Sequence, residues 1–506
     1  MRNSGSEITS DDSSILIRRN LKIADWILIA VGIIVFTGGI MFLGPLKFAA
    51  AILFLALVAI AFFSPKYGLY VLYGVEGLYV LVFYINLMAI APTQLGLDYT
   101  ISFYIEGGEL FIAPLMVLLV AYLLGFVARA WISKEKYVAT NLEKALIGFL
   151  LFCTAGVFLS IANELYPLII LTDMHVVMMF AFGIFAARSF KSIDEFRSLF
   201  NFLVIISLIH WVFLIGFFFQ QKLYTELLFL MDLLRAIQGS SDLYSPFIPV
   251  MLAIISIVPE AKRIRLEKFY PLLVFLFSVR TILCLSRGAM LQVIISVIAL
   301  YFLMPKEYRL HYLRQVKRQL VYAVIFCVMV FMVSPGLAKV GFKLIASRAV
   351  ESGSESTKQG SIKYRAFETQ MVLENVAESP IFGFGPGMQT KKRMFTYTSA
   401  SEEPYVHNGY LWYVLKFGIV GLVFLFYVLV RYFISVRDVI RGSPPVQKAL
   451  LIGTAAGLTG IIPIVVTNSV IAAVQGNIFI SFVFGVAIFA EIQHYKSRHE
   501  SRNDPA

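Results

Sequence analysis

The sequence predicts an all-α, polytopic integral membrane protein, with about fourteen transmembrane helices and one large extracytoplasmic loop. Three observations carry that expectation. Apolar residues make up 59% of the 506 and charged residues only 15%, and the mean hydropathy is +0.80, outside the range of soluble globular chains. Apolar runs long enough for a ~30 Å hydrocarbon core recur along the chain. They are continuous rather than alternating, so in lipid they read as helices and not as barrel strands. Finally, most of the 43 Lys and Arg fall in segments that are cytoplasmic if the N-terminus is, as positive-inside insertion requires.

Taken in order, a cytoplasmic N-terminal tail, 1–25, carries Arg18, Arg19 and Lys22 ahead of the first apolar run. A secretory signal begins the same way, but this run is long and no small-x-small site follows, so it reads as a first span. A multispanning helical region, 26–335, holds spans expected near 26–43, 46–63, 68–92, 110–128, 145–162, 167–187, 199–219, 245–258, 269–285, 287–304 and 319–335. An extracytoplasmic loop subdomain follows at 336–408, then C-terminal spans within 409–490 at 409–430, 450–467 and 470–490, and a cytoplasmic tail, 491–506. That tail is polar and basic from His494 onward, which predicts disorder.

Cys153, Cys284 and Cys327 all lie inside apolar runs, where they are small core residues with neither disulfide nor metal spacing. The net charge of +12 is mainly an insertion signal, and no aromatic-basic module of a nucleic-acid binder is present. Neither an internal repeat nor a pair of interrupted helices of the transporter kind is visible.

Composition changes abruptly in the outer loop. The tract from Ser352 to Thr357 is flexible and polar, Ser361 is placed to cap a helix, and Tyr364, Phe367 and Met371 then recur at helical spacing with Arg365 off their face. Pro380 ends that helix. The glycines of Gly383-Phe384-Gly385-Pro386-Gly387 permit positive φ and close backbone approach, so a tight turn is expected, either near a ligand or against another helix. His407 falls at the outer N-terminal end of a span, where the helix dipole disfavours imidazolium. A neutral imidazole with access to water is suited to general-base work; an interfacial histidine capping a helix is the plain alternative.

Ser286-Arg287-Gly288 interrupts two apolar runs at the outer surface, with Arg280 shortly before. An arginine near hydrocarbon is costly, so it either snorkels to head groups or serves an anion. Joined by Arg365, the guanidinium forks could clamp a diphosphate without a metal. Of the other ionisable groups inside spans, Glu76, His210 and Lys416 read as structurally paired, while Asp173 and His175 lie towards the outer half and could support the site.

With these residues in view, the C-terminal half resembles the O-antigen ligase and polymerase family of bacterial membrane glycosyltransferases. Three pieces carry the resemblance in order: Ser286-Arg287-Gly288-Ala289 at the head of a span; Arg365, a helix, then Pro380-Ile381-Phe382-Gly383 and the glycine turn; and His407-Asn408-Gly409-Tyr410-Leu411-Trp412 with Gly418-Ile419-Val420-Gly421. The resemblance implies a metal-independent transferase, without cofactors, in the bacterial cytoplasmic (inner) membrane. Its site would face the periplasmic or extracellular side, and both termini would be cytoplasmic. Its partners would be an undecaprenyl-diphosphate-linked oligosaccharide donor, a glycan acceptor, membrane lipids and other polysaccharide-assembly proteins, with no nucleic acid. Arg287 and Arg365 would bind the diphosphate, with Arg280 and Arg348 as second candidates, and His407 would deprotonate the acceptor. Gly383, Gly385, Gly387, Asn408 and Tyr410 would shape the site.

Two family activities, polymerisation of repeat units for a surface or exopolysaccharide and ligation of the finished glycan to lipid A core or protein, differ only in acceptor. A transporter or lipid-linked oligosaccharide flippase would instead line a path through both leaflets with Glu76, Asp173 and His210. The transferase reading requires Arg287, Arg365 and His407 to share one outward-facing cavity.

Overall fold

The computed structural model describes residues 47–75, 117–132, 139–221, 247–258, 268–283, 287–333, 355–393, 400–403, 406–466, 471 and 474–503. The span expected at 26–43, most of that at 68–92, Glu76 and Arg348 lie outside the described residues, as do the side chains of His210 and Arg287.

The chain divides into two compact units, 1–133 and 134–506. The first holds α1 (Lys47–Phe63), α2 (residues 65–75) and α3 (Val117–Ile132). Pro65 follows the end of α1, where it starts a new helix because its missing N–H is no loss in a first turn. The Arg129 guanidinium of α3 donates to the Phe62 carbonyl at 2.5 Å, satisfying one of the carbonyls that the end of α1 leaves open.

The second unit holds α4 (Asn141–Ala162), α5 (Pro167–Met178), α6 (Ala181–Ser189), α7 (Ile193–Gln221), α8 (Phe247–Ile257), α9 (Tyr270–Leu283), α10 (Arg287–Leu303), α11 (Lys306–Val333), α12 (Glu355–Glu378), the strands β1 (Thr390–Arg393) and β2 (Ala400–Glu403), α13 (Gly409–Ile440), α14 (Pro445–Ile464) and α15 (Val474–Asn503). Among the described residues, four helices are long and apolar enough to cross a membrane: α4, α13, α14 and the 476–498 part of α15. The pair α5–α6, bent by 41°, makes a fifth if it is one broken span. Shorter apolar helices occupy positions where further spans were expected, at 53–63, 117–132, 247–257, 270–281 and 288–303.

Helix α15 is the axis of the unit, with Ile478, Phe479, Phe482, Val483, Phe484, Val486, Ala487, Ile488 and Phe489 all buried. It meets α6 where Gly183 faces Gly485; a Cβ on Gly183 would sit 2.6 Å from the Ser481 carbonyl. Without a hydrophobic drive between helices in lipid, such small-residue crossings let backbones approach and gain dispersion contact. Helix α14 uses the same device, Gly453 and Gly457 lying on Met251 and Phe247 of α8, and Gly460 on Gln292 and Ser296 of α10. Outward faces stay apolar, with Leu151, Phe158, Val324, Met332, Ile419 and Val423 exposed, as a lipid-facing surface requires.

Thr140 and Glu143 form a capping box at the start of α4. The Glu143 carboxylate is also held by Arg188 at the end of α6. Nearby, Glu491 of α15 accepts from the Leu142 N–H at 3.3 Å and from the Ser435 hydroxyl of α13 at 2.5 Å. This polar clasp joins four helices at one end of the unit. The other end of α4 lies about 33 Å away at 1.5 Å per residue, and that end carries the candidate site.

Several expectations change. The segment around the expected 319–335 span is one continuous helix from Lys306, because nothing in the basic stretch breaks it and Tyr312 and Gln315 give it a buried face. The tail from His494 is helical as far as Asn503 rather than disordered; no Pro or Gly falls between Gly485 and Pro505. Helix α12 starts at Glu355, so Ser361 is inside it and is not its cap. The two strands pair antiparallel, Thr390 opposite Glu403, and are the departure from a wholly helical chain among the described residues.

Candidate active site

The site is built where α12 meets the head of α13. Asn408 is the N-cap of α13, its side-chain oxygen accepting from the N–H groups of Tyr410 at 3.0 Å and Leu411 at 3.1 Å. The Gly409 N–H donates to the Val465 carbonyl at 2.9 Å, and the Tyr410 hydroxyl donates to the Ile462 carbonyl at 2.7 Å. These bonds fix the head of α13 to the end of α14.

His407 stands one residue outside that cap. Its backbone N–H donates to Glu368 Oε2 at 3.2 Å, and its ring Nδ1 lies 3.0 Å from Oε2 and 3.2 Å from Oε1. A carboxylate only accepts, so Nδ1 carries the hydrogen and Nε2 is the acceptor of the neutral ring. The Glu368 side chain is 3% exposed and the His407 side chain 34%: the carboxylate is shielded while the ring reaches the surface. Glu368 was missed in the sequence. It sits four residues after Tyr364 and three before Met371, so a charged residue occupies the apolar face of its helix, and that was the available signal.

The glycine turn packs against a helix. Helix α13 is broken at Gly418, whose φ of 65° and ψ of −173° are not helical and belong to a region that only glycine enters readily. The break frees the Leu415 and Lys416 carbonyls and the Ile419 and Val420 N–H groups, which would otherwise bond to one another. Phe384 N–H donates to Leu415 O at 3.1 Å and Gly385 N–H to Lys416 O at 2.8 Å; Ile419 N–H donates to Pro380 O at 2.9 Å and Val420 N–H to Ile381 O at 3.2 Å. Four freed groups meet four loop groups. Broken backbone at membrane depth needs such partners within the protein.

Two residues of α4 and its end hold the other side of the turn: the Ser160 hydroxyl donates to Pro386 O at 2.6 Å and Asn163 Nδ2 to Phe384 O at 2.9 Å. Gly383, Gly385 and Gly387 all have positive φ. A Cβ on Gly383 would sit 2.6 Å from the Gly418 nitrogen, and one on Gly387 would sit 2.6 Å from the Ile170 side chain.

Lys416 and Asp173 complete the seam as a buried ion pair. Asp173 also accepts from the Gly387 N–H at 2.5 Å. The Lys416 ammonium donates to the Met388 carbonyl at 3.1 Å and lies 5.0 Å from the centre of the Trp412 ring. Lys416 is therefore structurally paired, as expected. Asp173 holds the glycine turn through the Gly387 N–H, and His175 is buried on the same helix.

Arg365 is exposed on α12, one turn before Glu368. Arg280 is 3% exposed and donates to the Ser207 carbonyl of α7 at 3.3 Å, within helix packing. Arg287 is the first residue of α10. Gly460 packs on Gln292 and Ser296; Val465 lies five residues beyond Gly460, and Arg287 five from Gln292 and nine from Ser296, about 7–14 Å along their helices. Since Val465 holds Gly409, the backbone of Arg287 is at the same end of the unit as His407.

Two helices are interrupted among the described residues, α5–α6 at its bend and α13 at Gly418. The groups freed in α13 are occupied by the glycine turn, while at the α5–α6 bend the Met179 and Phe180 N–H groups stay bonded to the His175 and Val177 carbonyls and the Val176 carbonyl accepts from Asn477 Nδ2 at 2.8 Å. Among the described residues, no three His, Cys, Asp or Glu side chains gather as a metal-binding group.

No curated protein matches the chain. Residues 272–426 match the protein-family model described as O-antigen ligase. That stretch runs from α9 to the middle of α13 and contains Arg280, Arg287, Arg365, Glu368 and His407. The chain is thus a helical integral membrane protein whose residues 272–426 are similar to the O-antigen ligase family, the family its three motifs resemble.

Proposed function

We propose that the protein is a metal-independent glycosyltransferase that polymerises undecaprenyl-diphosphate-linked oligosaccharide units on the outer face of the cytoplasmic membrane. The observation that carries the reading is the half-exposed His407 ring held through Nδ1 by a buried carboxylate, one turn from Arg365 and inside the family-matched segment. His407 Nε2 takes the proton of an acceptor hydroxyl as its oxygen bonds to the anomeric carbon. The bond from that carbon to the diphosphate oxygen breaks with inversion, and Arg287 and Arg365 stabilise the charge that gathers on the leaving diphosphate. Arg348 is a further anion ligand, whereas the burial of Arg280 favours a packing role.

This reading is completed by the fourteen-span topology with cytoplasmic termini and an extracytoplasmic 336–408 subdomain. The family description favours a second acceptor, lipid A core or protein, which makes the same chemistry a ligation. Reconstituted protein with chelator and a lipid-linked repeat unit from its host decides between them. A ladder of lengthening glycans that His407→Ala abolishes is the expected result. A single transfer only when a terminal acceptor is added turns the reading to ligation, and lack of turnover with either acceptor refutes it.

A further inference from the structure

We infer that Glu368 is the positioning residue of this site: it sets the tautomer and orientation of His407 and balances the charge the ring acquires during transfer. The inference rests on the proposed general-base role of His407 and deepens it. A buried carboxylate is costly unless its oxygens are bonded, and Glu368 meets both the ring and the backbone N–H of His407. That double contact holds the ring against rotation and places the hydrogen on Nδ1, which makes Nε2 the acceptor of the neutral ring.

When Nε2 takes the acceptor proton, the positive ring forms beside a negative group already in place. No solvent or side chain has to reorganise at that moment. The proton stays on Nε2, and Glu368 does not take it. Arg365 shares α12 with Glu368, so the same contact also brings the proposed diphosphate ligand towards the base.

The test measures kcat and KM for the lipid-linked donor, with a thermal midpoint, for the full-length protein and its E368Q, E368D, H407A and H407A/E368Q variants. A glutamine amide oxygen still accepts hydrogen bonds but carries no charge. E368Q should therefore lower kcat by about 10²-fold, the lower range of general acid–base contributions, with KM and midpoint close to wild type. E368Q should cost nothing further in the H407A background. If E368Q does not fold, E368D keeps the charge on a shorter arm and should lose kcat alone.

Wild-type kcat in E368Q, with H407A inactive, overturns the inference and leaves the base reading intact. An equal loss from E368Q in both backgrounds, with a lowered midpoint, also overturns it and makes Glu368 a latch between two helices. Full turnover by H407A overturns the base reading itself.

Discussion

Replacing Lys416 by Met isolates what the buried pair contributes to holding the glycine turn. The methionine fills much of the same volume, but Asp173 is left with the Gly387 N–H as its remaining described partner. Breaking a buried pair by removing one member costs about 3–5 kcal/mol. The Met388 carbonyl loses its donor, a penalty of about 1–3 kcal/mol, and the cation over Trp412 is lost as well, about 1–2 kcal/mol. These terms overlap, so about 4–7 kcal/mol is the expected total. Adding Asp173→Leu removes the stranded charge and should restore about 2–3 kcal/mol, the upper range of coupling between contacting residues. The Gly387 N–H then lacks its acceptor, so the double variant stays below wild type. Thermal midpoints in one fixed detergent should rank wild type above Lys416→Met/Asp173→Leu above Lys416→Met. A double variant less stable than Lys416→Met, or a single variant equal to wild type, would refute the reasoning.

Gly418→Ala forces a Cβ into the Ile381 carbonyl region at a backbone conformation costing about 1–3 kcal/mol; limited trypsinolysis should cut the 388–406 segment faster than in wild type. Gly457→Leu puts branched carbons where the Phe247 ring packs; overpacking of about 1–3 kcal/mol should appear as a lower thermal midpoint. Arg365→Ala should leave the midpoint unchanged, since surface changes stay within about 0.5 kcal/mol. Its turnover on a diphosphate-linked donor should nevertheless fall by about 10²-fold, as when one charge-stabilising donor is removed.

Helix positions were legible because lipid imposes a simple rule: continuous apolar runs such as 145–162 and 409–430 have no other stable form in hydrocarbon, and they fall within the helices Asn141–Ala162 and Gly409–Ile440. Pro380 and the turn glycines were equally legible, since φ restrictions are local. The carboxylate partner of His407 was not, because Glu368 lies 39 residues upstream and only tertiary folding joins them. The break at Gly418 was hidden for a related reason. Its sequence continues as apolar helix on both sides, and the groups that make a break tolerable come from the turn at 380–385. Continuation of α15 into its polar tail went unseen because composition speaks to solvation, whereas a helix already nucleated needs only the absence of a breaker.

The exchange of four hydrogen bonds between the turn and the break in α13 also orders events during biosynthesis. Residues 380–385 leave the ribosome before residues 415–420, so the turn is already made when the helix that needs it enters the bilayer. Until the two meet, those four peptide groups of α13 can be satisfied only by one another, as an unbroken helix, since left unpaired in hydrocarbon each would cost several kcal/mol. Breaking of α13 and docking of the turn are thereby coupled, so changes to either partner should give the same assembly phenotype.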